Sequence, residues 1–321
     1  MIIILSGAHD PTADRVEYEL TRRSAPYSRL DLSDFPQRVT ASAYLDDSGR
    51  WFGQIRHDDG WSAAWEDITA VYYRRPSNFD PAPSLTDAER RFAIAEARGG
   101  FGGVLASLDT RWVNHPFRVA DAEFKPVQLA TGRECGFTVP PTVITNNGPS
   151  AHGFARTRPP KVLYKPLGGG FHRGNNHKLA LIYATLVAAE SFDDAEIAAT
   201  AHTFQSFVDK AHDVRVTVAG PCVFGTAIHS TSEAGRVDWR SDYDSLIYTE
   251  IPVPNSIKKS IIHYLRRFDL LYGAFDFSVD KNDHWWFLEC NPNGQWGFIA
   301  EATGMPIASA IADLLTGDSI P

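Results

Sequence analysis

Two stretches near the carboxyl end, GAFDFSVD (residues 273–280) and WWFLECN (residues 285–291), constrain this chain more than any other feature. Side chains alternate along a strand, so Phe275, Phe277 and Val279 face one way and Ala274, Asp276 and Ser278 the other. One face is predicted to be core and the other polar, with a hairpin turn around residues 281–283. In the second stretch the same period puts Glu289 and Asn291 on one face, with Phe287 beside them, before Pro292 breaks the strand. If the two polar faces coincide, Asp276, Glu289 and Asn291 converge. Two adjacent carboxylates cost free energy unless a cation separates them. A hard divalent cation that keeps waters and binds phosphate oxygens suits such an oxygen set. From the spacing alone, a solvated polar edge is an equal reading.

At 321 residues the chain exceeds one ordinary core, so two or three domains are expected. Its 43% hydrophobic and 22% charged residues are those of a globular protein. The net charge of -8 argues against a nucleic-acid partner, though not against a local basic pocket. Cys135, Cys222 and Cys290 lack pairing or zinc spacing and read as thiols in a reducing, cytoplasmic setting. The opening MIIILSG has no cationic leader, and no stretch reaches the ~20 apolar residues of a membrane span.

Met1 to Leu5 reads as a strand buried on both faces, and Asp10-Pro11-Thr12 as a helix start with Val16 and Leu20 on its apolar stripe. A second strand (SRLDLSDF), a hairpin turning at 47–49, a strand ending in YYRRP and one long helix over residues 85–108 complete an open α/β domain, 1–118. Residues 119–208 read as a small α+β domain. A helix is predicted from the acidic cap at Asp193 and Asp194 through HTFQ. Residues 209–321 read as strand-rich, with helices over SIKKSIIHYLRRFDL and PIASAIADLLTG.

Cations stand beside these elements. Lys125 lies on a helix of the middle domain, and Lys165 ends a strand just before Gly168, Gly169 and Gly170. A lysine there reaches phosphate as a point charge, while glycines let backbone N–H groups approach. A plain turn is the commoner use of such glycines, and neither a phosphate loop nor a dinucleotide fingerprint is present. Arg215, among apolar neighbours in DVRV, needs a partner: Asp213 or Asp209, or else a transferred phosphoryl group. Arg240 in VDWR has the same two readings, with a surface position the blander one.

Taken in order, a strand lysine before glycines, DVRV, DFS and E-x-N-x-x-G resemble the ATP-grasp superfamily. SGAHDPTADRVEYEL, LDLSDFP, VYYRRPSNF, NHP and VDWR further resemble the graspetide (microviridin-type) peptide maturases. The resemblance implies an ATP-grasp fold: an N-terminal open α/β pre-ATP-grasp domain, a central lid domain and a C-terminal antiparallel-sheet domain. It implies an ADP-forming ligase that joins Asp or Glu side chains of a ribosomally made precursor peptide to Ser, Thr or Lys side chains through ω-ester or ω-amide bonds. It assigns Asp276, Glu289 and Asn291 to magnesium, two ions being expected, and Lys125, Lys165 and the glycines to the ATP phosphates. Gln205, Phe207 and Val208 become the hinge over adenine and Asp209 a ribose contact. Ser206 departs from the Q-E-x-V pattern of many such hinges. Arg215 and Arg240 become stabilisers of the acyl-phosphate and the tetrahedral state. Asp193, Asp194 and Glu196 are assigned to the leader peptide. A homodimer is consistent with the resemblance.

This chemistry needs no protein nucleophile, in keeping with the lack of a G-x-S-x-G elbow. His172, His177 and His229 are open choices for the nucleophile's proton, and residues 168–176 for a lid that excludes water. Two rivals stay open. A ligase joining separate molecules would use the same site, and a nucleotide-gated binding module would use it without turnover.

Overall fold

The structure is a computed structural model that describes residues 1–158, 162–168, 171–173 and 179–318. The predicted Gly169, Gly170 and His177 lie outside the described residues, as does part of the predicted lid.

The first unit runs β1 (Ile2–Ser6), α1 (Pro11–Arg22), β2 (Tyr27–Leu30), β3 (Val39–Leu45), β4 (Trp51–His57), β5 (Ser62–Ala64), β6 (Ala70–Arg75), α2 (Asp87–Gly99), α3 (Phe101–Ala106) and β7 (Arg111–Val113). Its parallel sheet has the order β2-β1-β6-β7. All of β1 is buried: Ile2 and Ile4 join one core, Ile3 and Leu5 another. This is why its sequence is continuously apolar. The Asp10 side chain caps α1 by accepting from the Thr12 and Ala13 amides at 2.9 and 3.3 Å. The long helix expected over residues 85–108 is two helices, because Gly100 leaves helical geometry between them.

The middle unit runs α4 (Pro116–Ala122), α5 (Lys125–Glu134), β8 (Thr142–Thr145), α6 (Gly148–Arg156), β9 (Val162–Lys165), β10 (Phe171–Arg173), β11 (Leu179–Leu181), β12 (Thr185–Val187), α7 (Asp194–Ala198) and β13 (His202–Ser206). Strands β12-β9-β13-β8 form an antiparallel sheet, and β10 and β11 pair separately. The helix predicted to run through HTFQ stops after Ala198. His202–Ser206 is instead one of the sheet's two inner strands, paired on both edges. Helix α6 was not foreseen, although the Asn147 cap and Pro149 in its first turn are helix-start signals.

The last unit runs β14 (Lys210–Ala219), β15 (Cys222–Ser230), α8 (Glu233–Val237), β16 (Leu246–Ile251), α9 (Asn255–Phe268), β17 (Tyr272–Asp280), β18 (Trp285–Asn291), α10 (Gly297–Thr303) and α11 (Ile307–Thr316). Its antiparallel sheet has the order β16-β15-β14-β17-β18. On one face Val214, Val216, Phe275, Phe277 and Phe287 pack with Phe137, whose ring stacks on Phe287 at 4.8 Å between centroids. Helix α11 returns to pack beside α1, so both ends of the chain share one core.

The face expected for Phe287 is corrected by the register. Asp276 pairs with Glu289, but Phe277 pairs with Phe287, so Leu288 is one residue too many. That bulge resets the alternation. Phe287 turns into the aromatic core, while Glu289 and Asn291 stay on the opposite face. Truncation of this fully buried ring, Phe287→Ala, is expected to cost about 3–5 kcal/mol, read as a shifted midpoint in chemical denaturation.

Candidate functional site

A cleft of about 920 Å³ lies between the middle and last units, and the polar face of β14, β17 and β18 is its floor. Asp276 and Glu289 face each other directly across β17 and β18, and Asn291 follows two residues on. Opposed carboxylates repel, and the neighbourhood answers with cations. Arg215, directly opposite Asp276 on β14, makes a two-point contact: Nε to Oδ1 at 2.6 Å and Nη2 to Oδ2 at 3.0 Å. The Asn291 amide donates to the same Oδ2 at 3.2 Å. Glu289 receives Arg240 Nη1 on Oε1 at 3.2 Å and Lys125 Nζ near Oε2 at 3.4 Å.

The expected partners of Arg215 were Asp213 or Asp209, and neither serves. Asp213 pairs with Lys210 at 2.6 Å and accepts from Ser278 at 2.9 Å. Asp209 pairs with Lys281 at 2.8 Å and lies along a second, smaller cleft rather than this one. Arg240 is no free surface arginine: beyond Glu289, its Nε and Nη2 donate to Asp238 at 2.9 and 3.1 Å. Asp238 also accepts from the Ala184 amide of the middle unit at 3.0 Å. Lys125 opens α5, the wrong end of a helix for a cation. It is held there by Glu289 and by the Pro166 carbonyl at 3.1 Å.

Lys165 ends β9 over the floor and donates to Gln205 Oε1 at 3.0 Å. The Gln205 amide nitrogen in turn donates to Thr142. The Gln205 side chain therefore orients a lysine, and Phe207 and Val208 line the cleft beyond it, as does Gly168. Asp193, Asp194 and Glu196 lie away from the cleft. Asp193 caps its own helix, Asp194 faces His152 at 3.2 Å, and the Glu196 side chain is exposed. His229 is also outside, stacked near His212.

The sequence reading missed Asp238 and Lys210, and named Asp213 only as a partner for Arg215. The i, i+2 spacing of Asp238 and Arg240 was the available signal for the first. Lys210 stands beyond a register shift between it and His212, which no local pattern marks. Lining the cleft, Arg75, Lys125, Lys165, Lys210 and Arg240 stand against Glu123, Asp213, Asp238, Asp276 and Glu289, while Arg215 is buried against Asp276 from the neighbouring strand. The lining charges thus balance within a chain of net -8, and the five cations are gathered where an anionic ligand would meet them.

Burial raises the Asp276 carboxyl, with Glu289 adding to the effect against Arg215. Burial also acts upward on Glu289, but Lys125, Arg240, Lys165 and Arg215 outweigh it and hold that carboxyl below its ordinary value. Burial lowers Lys165 to about 8, partly offset by Glu289 and deepened by Lys125 and Arg240. Among the described residues no three or more His, Cys, Asp or Glu side chains form a metal cage. Two carboxylates and an amide oxygen do fit magnesium shared with phosphate oxygens and water, since that ion is seldom bound by an all-protein cage.

Lys165 is charged below about pH 8 and neutral above it. Affinity for a polyphosphate is therefore expected to fall as pH rises above that point, by at most about tenfold per pH unit. Titration calorimetry with ATP from pH 7 to 9.5 measures it, and Lys165→Arg should flatten the profile. In the turn after β18, a Cβ on Gly294 would lie 2.6 Å from Ala274 Cβ and 3.0 Å from Asn291 Cβ. Gly294→Ala is expected to weaken nucleotide-dependent metal binding, read in the same calorimeter.

A family model described as the MvdD pre-ATP grasp domain matches residues 1–120. Over its whole length the chain is similar to a Chryseobacterium gregarium RiPP-associated ATP-grasp ligase solved with ADP and a leader and core peptide. The identity is 26% and the TM-score 0.91, covering 99% of this chain and 97% of that one. It is also similar to the macrocyclase MdnC of Microcystis aeruginosa MRC bound with precursor peptide MdnA, at 24% identity, TM-score 0.84, and 98% and 99% coverage. The ATP-grasp ligase PsnB, complexed with minimal precursor, Mg and ADP, matches at 20% identity, TM-score 0.77, and 99% and 97% coverage. No curated protein sequence gives a significant match. The chain has the ATP-grasp fold behind a pre-ATP-grasp unit, and the resemblance to the ATP-grasp ligases of ribosomal peptides, read from sequence motifs, is borne out. No helix among the described residues is long and apolar enough to cross a membrane.

Proposed function

We propose that this ATP-grasp protein is an ATP-dependent ligase of a ribosomally made precursor peptide. It activates Asp or Glu side chains as acyl-phosphates and joins them to Ser, Thr or Lys side chains of the same peptide. The observation that carries the reading is the opposed pair Asp276 and Glu289, ringed by lysines and arginines on a cleft floor. The whole-chain likeness to a ligase solved with ADP, leader and core peptide supports it.

The residues divide the work by position. Asp276, Glu289 and Asn291 hold magnesium, two ions in this reading, and the ion supplies charge neutralisation for the nucleotide's phosphates. Lys125 and Lys165 bind those phosphates as point charges from two separate elements. A substrate carboxylate oxygen bonds to the γ-phosphorus and ADP leaves. The hydroxyl or amine then attacks the acyl carbon, phosphate departs, and the nucleophile's proton is lost. Negative charge grows in both steps, and Arg215 and Arg240 are fixed in advance by Asp276 and Asp238 to meet it. Phe207 and Val208 flank the base, and the Gln205 side chain serves Lys165.

The same reading divides the chain at about residues 118 and 208 and gives the leader peptide to the middle unit. There Asp194 and Glu196 offer carboxylates, while Asp193 is taken by its helix. The cysteines Cys135, Cys222 and Cys290 are free, which suits the cytoplasm. A homodimer belongs to the proposal as well.

Incubation with a candidate precursor, ATP and Mg²⁺, followed by intact mass analysis, tests the reading. Loss of one water for each bond formed, with matching ADP release, is the expected outcome. A gain of mass by an added amino acid would point to a ligase between separate molecules. Neither change, with no ADP, would leave a binding module. Lys165→Ala, Glu289→Ala and Asn291→Ala are expected to abolish turnover while unfolding cooperatively, and normal turnover in Glu289→Ala would remove the metal assignment.

A further inference from the structure

We propose that the first unit sets the geometry of the metal site by clamping the loop that follows Asn291, with Arg74 and Asn114 as positioning residues. The inference rests on reading Asn291 as a magnesium ligand. Four successive backbone carbonyls of that loop each accept a side-chain donor. Pro292 O accepts from Asn114 Nδ2 at 2.7 Å and Asn293 O from Arg74 Nη1 at 3.0 Å. Gly294 O accepts from the Tyr272 hydroxyl at 2.8 Å, and Gln295 O from Arg215 Nη1 at 3.1 Å. Thr12 adds a fifth contact, donating to the Gln295 side chain at 2.8 Å. A loop needs few such bonds to satisfy its backbone, and water usually supplies them. Here every donor is a named side chain.

Three of the donors, Thr12, Arg74 and Asn114, come from residues 1–120, the stretch matched as the pre-ATP-grasp unit. Asn114 is buried, and its amide is fully used. Besides Pro292 O it donates to Tyr272 O at 2.8 Å and accepts from the Leu271 and Tyr272 amides at 2.9 and 3.1 Å. One side chain therefore ties the exit of β18, which carries Glu289 and Asn291, to the entry of β17, which carries Asp276. Arg74 is 1% exposed, and its nearest carboxylate oxygen, Asp10 Oδ2, lies at 3.4 Å. A guanidinium so placed is a poor stabilising device, because desolvation offsets much of its attraction. What it does supply is direction, from the capped start of α1 to the loop. Gly294 closes the remaining freedom, since the loop already touches Ala274.

Partners that orient metal ligands from behind typically change metal affinity by about 10–100-fold when removed. The test is Mn²⁺ binding to the full chain in the presence of ADP, followed by the electron paramagnetic resonance of free Mn²⁺. Arg74→Met, which keeps the volume and removes the donors, is expected to weaken Mn²⁺ binding about tenfold or more. ADP affinity without metal and the cooperativity of unfolding should stay as in the parent protein, which a general loss of structure would not allow. Arg74→Lys is expected to restore part of the loss. Should Arg74→Met fail to fold, Thr12→Val removes one first-unit hydroxyl alone and is expected to show a smaller loss of the same kind. Folded variants that bind Mn²⁺ as tightly as the parent overturn the proposal. A parent protein that binds ADP but no Mn²⁺ with it overturns the magnesium reading, and this inference with it.

Discussion

The structure turns on one unfavourable contact, the opposition of Asp276 and Glu289 across β17 and β18. Like charges directly across a ladder destabilise a sheet, and burial makes each carboxylate harder to ionise. The surroundings resolve this unequally. Arg215 grips Asp276 at two points from the neighbouring strand, yet burial still raises that carboxyl. Glu289 sits where Lys125, Arg240 and Lys165 converge and stays ionised. Each of those cations arrives from a different element, α5, the segment after α8, and β9, so the site exists only when the middle and last units are assembled. The cleft is thus a consequence of charge compensation as much as of shape.

The hairpin that carries the two acids was legible because its period is strict on β17. Phe275, Phe277 and Val279 read as core and are core. On β18 the period fails at Leu288, since a bulge is one residue of local geometry with no compositional mark. The partner of Arg215 was hidden for a related reason. Asp276 lies 61 residues away, and only the register of β14 against β17 brings it opposite. The HTFQ segment read as helix because an acidic cap precedes it. The cap is real, but it starts only the five residues of α7. Strand β16 went unread because it is an edge strand whose side chains are mostly half-buried or exposed, so no apolar face announces it. Local signals marked caps, turns and the regular strands; pairings across the chain needed the sheet itself.

The middle sheet is joined to the rest less firmly than the first unit is to the last. Helix α11 packs with α1 and the sheet of the first unit, and Trp296 and Ile299 enter the same core as Ile2 and Ile4. First and last units therefore share apolar interior, and a relative shift would expose it to water. The middle sheet instead has a small core of its own, with Ala151, Val162, Ile197 and Phe204 at its centre. It meets the floor of the cleft chiefly through polar groups, Lys165 above the acids and the Ala184 amide on Asp238. Polar contacts that water can replace are cheaper to open than shared core.

That asymmetry suits a ligase whose intermediate must be shielded from water and whose peptide must still enter and leave. The face that carries Asp276, Glu289 and Asn291 is tied on one side to the first unit, while the sheet that brings Lys165 has a core of its own. Asp238 lies where the two parts meet, accepting from the Ala184 amide on one side and from Arg240 on the other. Without the Ala184 amide, Asp238 would still hold Arg240, and Arg240 would still hold Glu289. Arg215 on Asp276 and Arg240 on Glu289 both belong to the last unit, so the acid pair keeps a cation on each carboxylate that does not depend on the middle sheet.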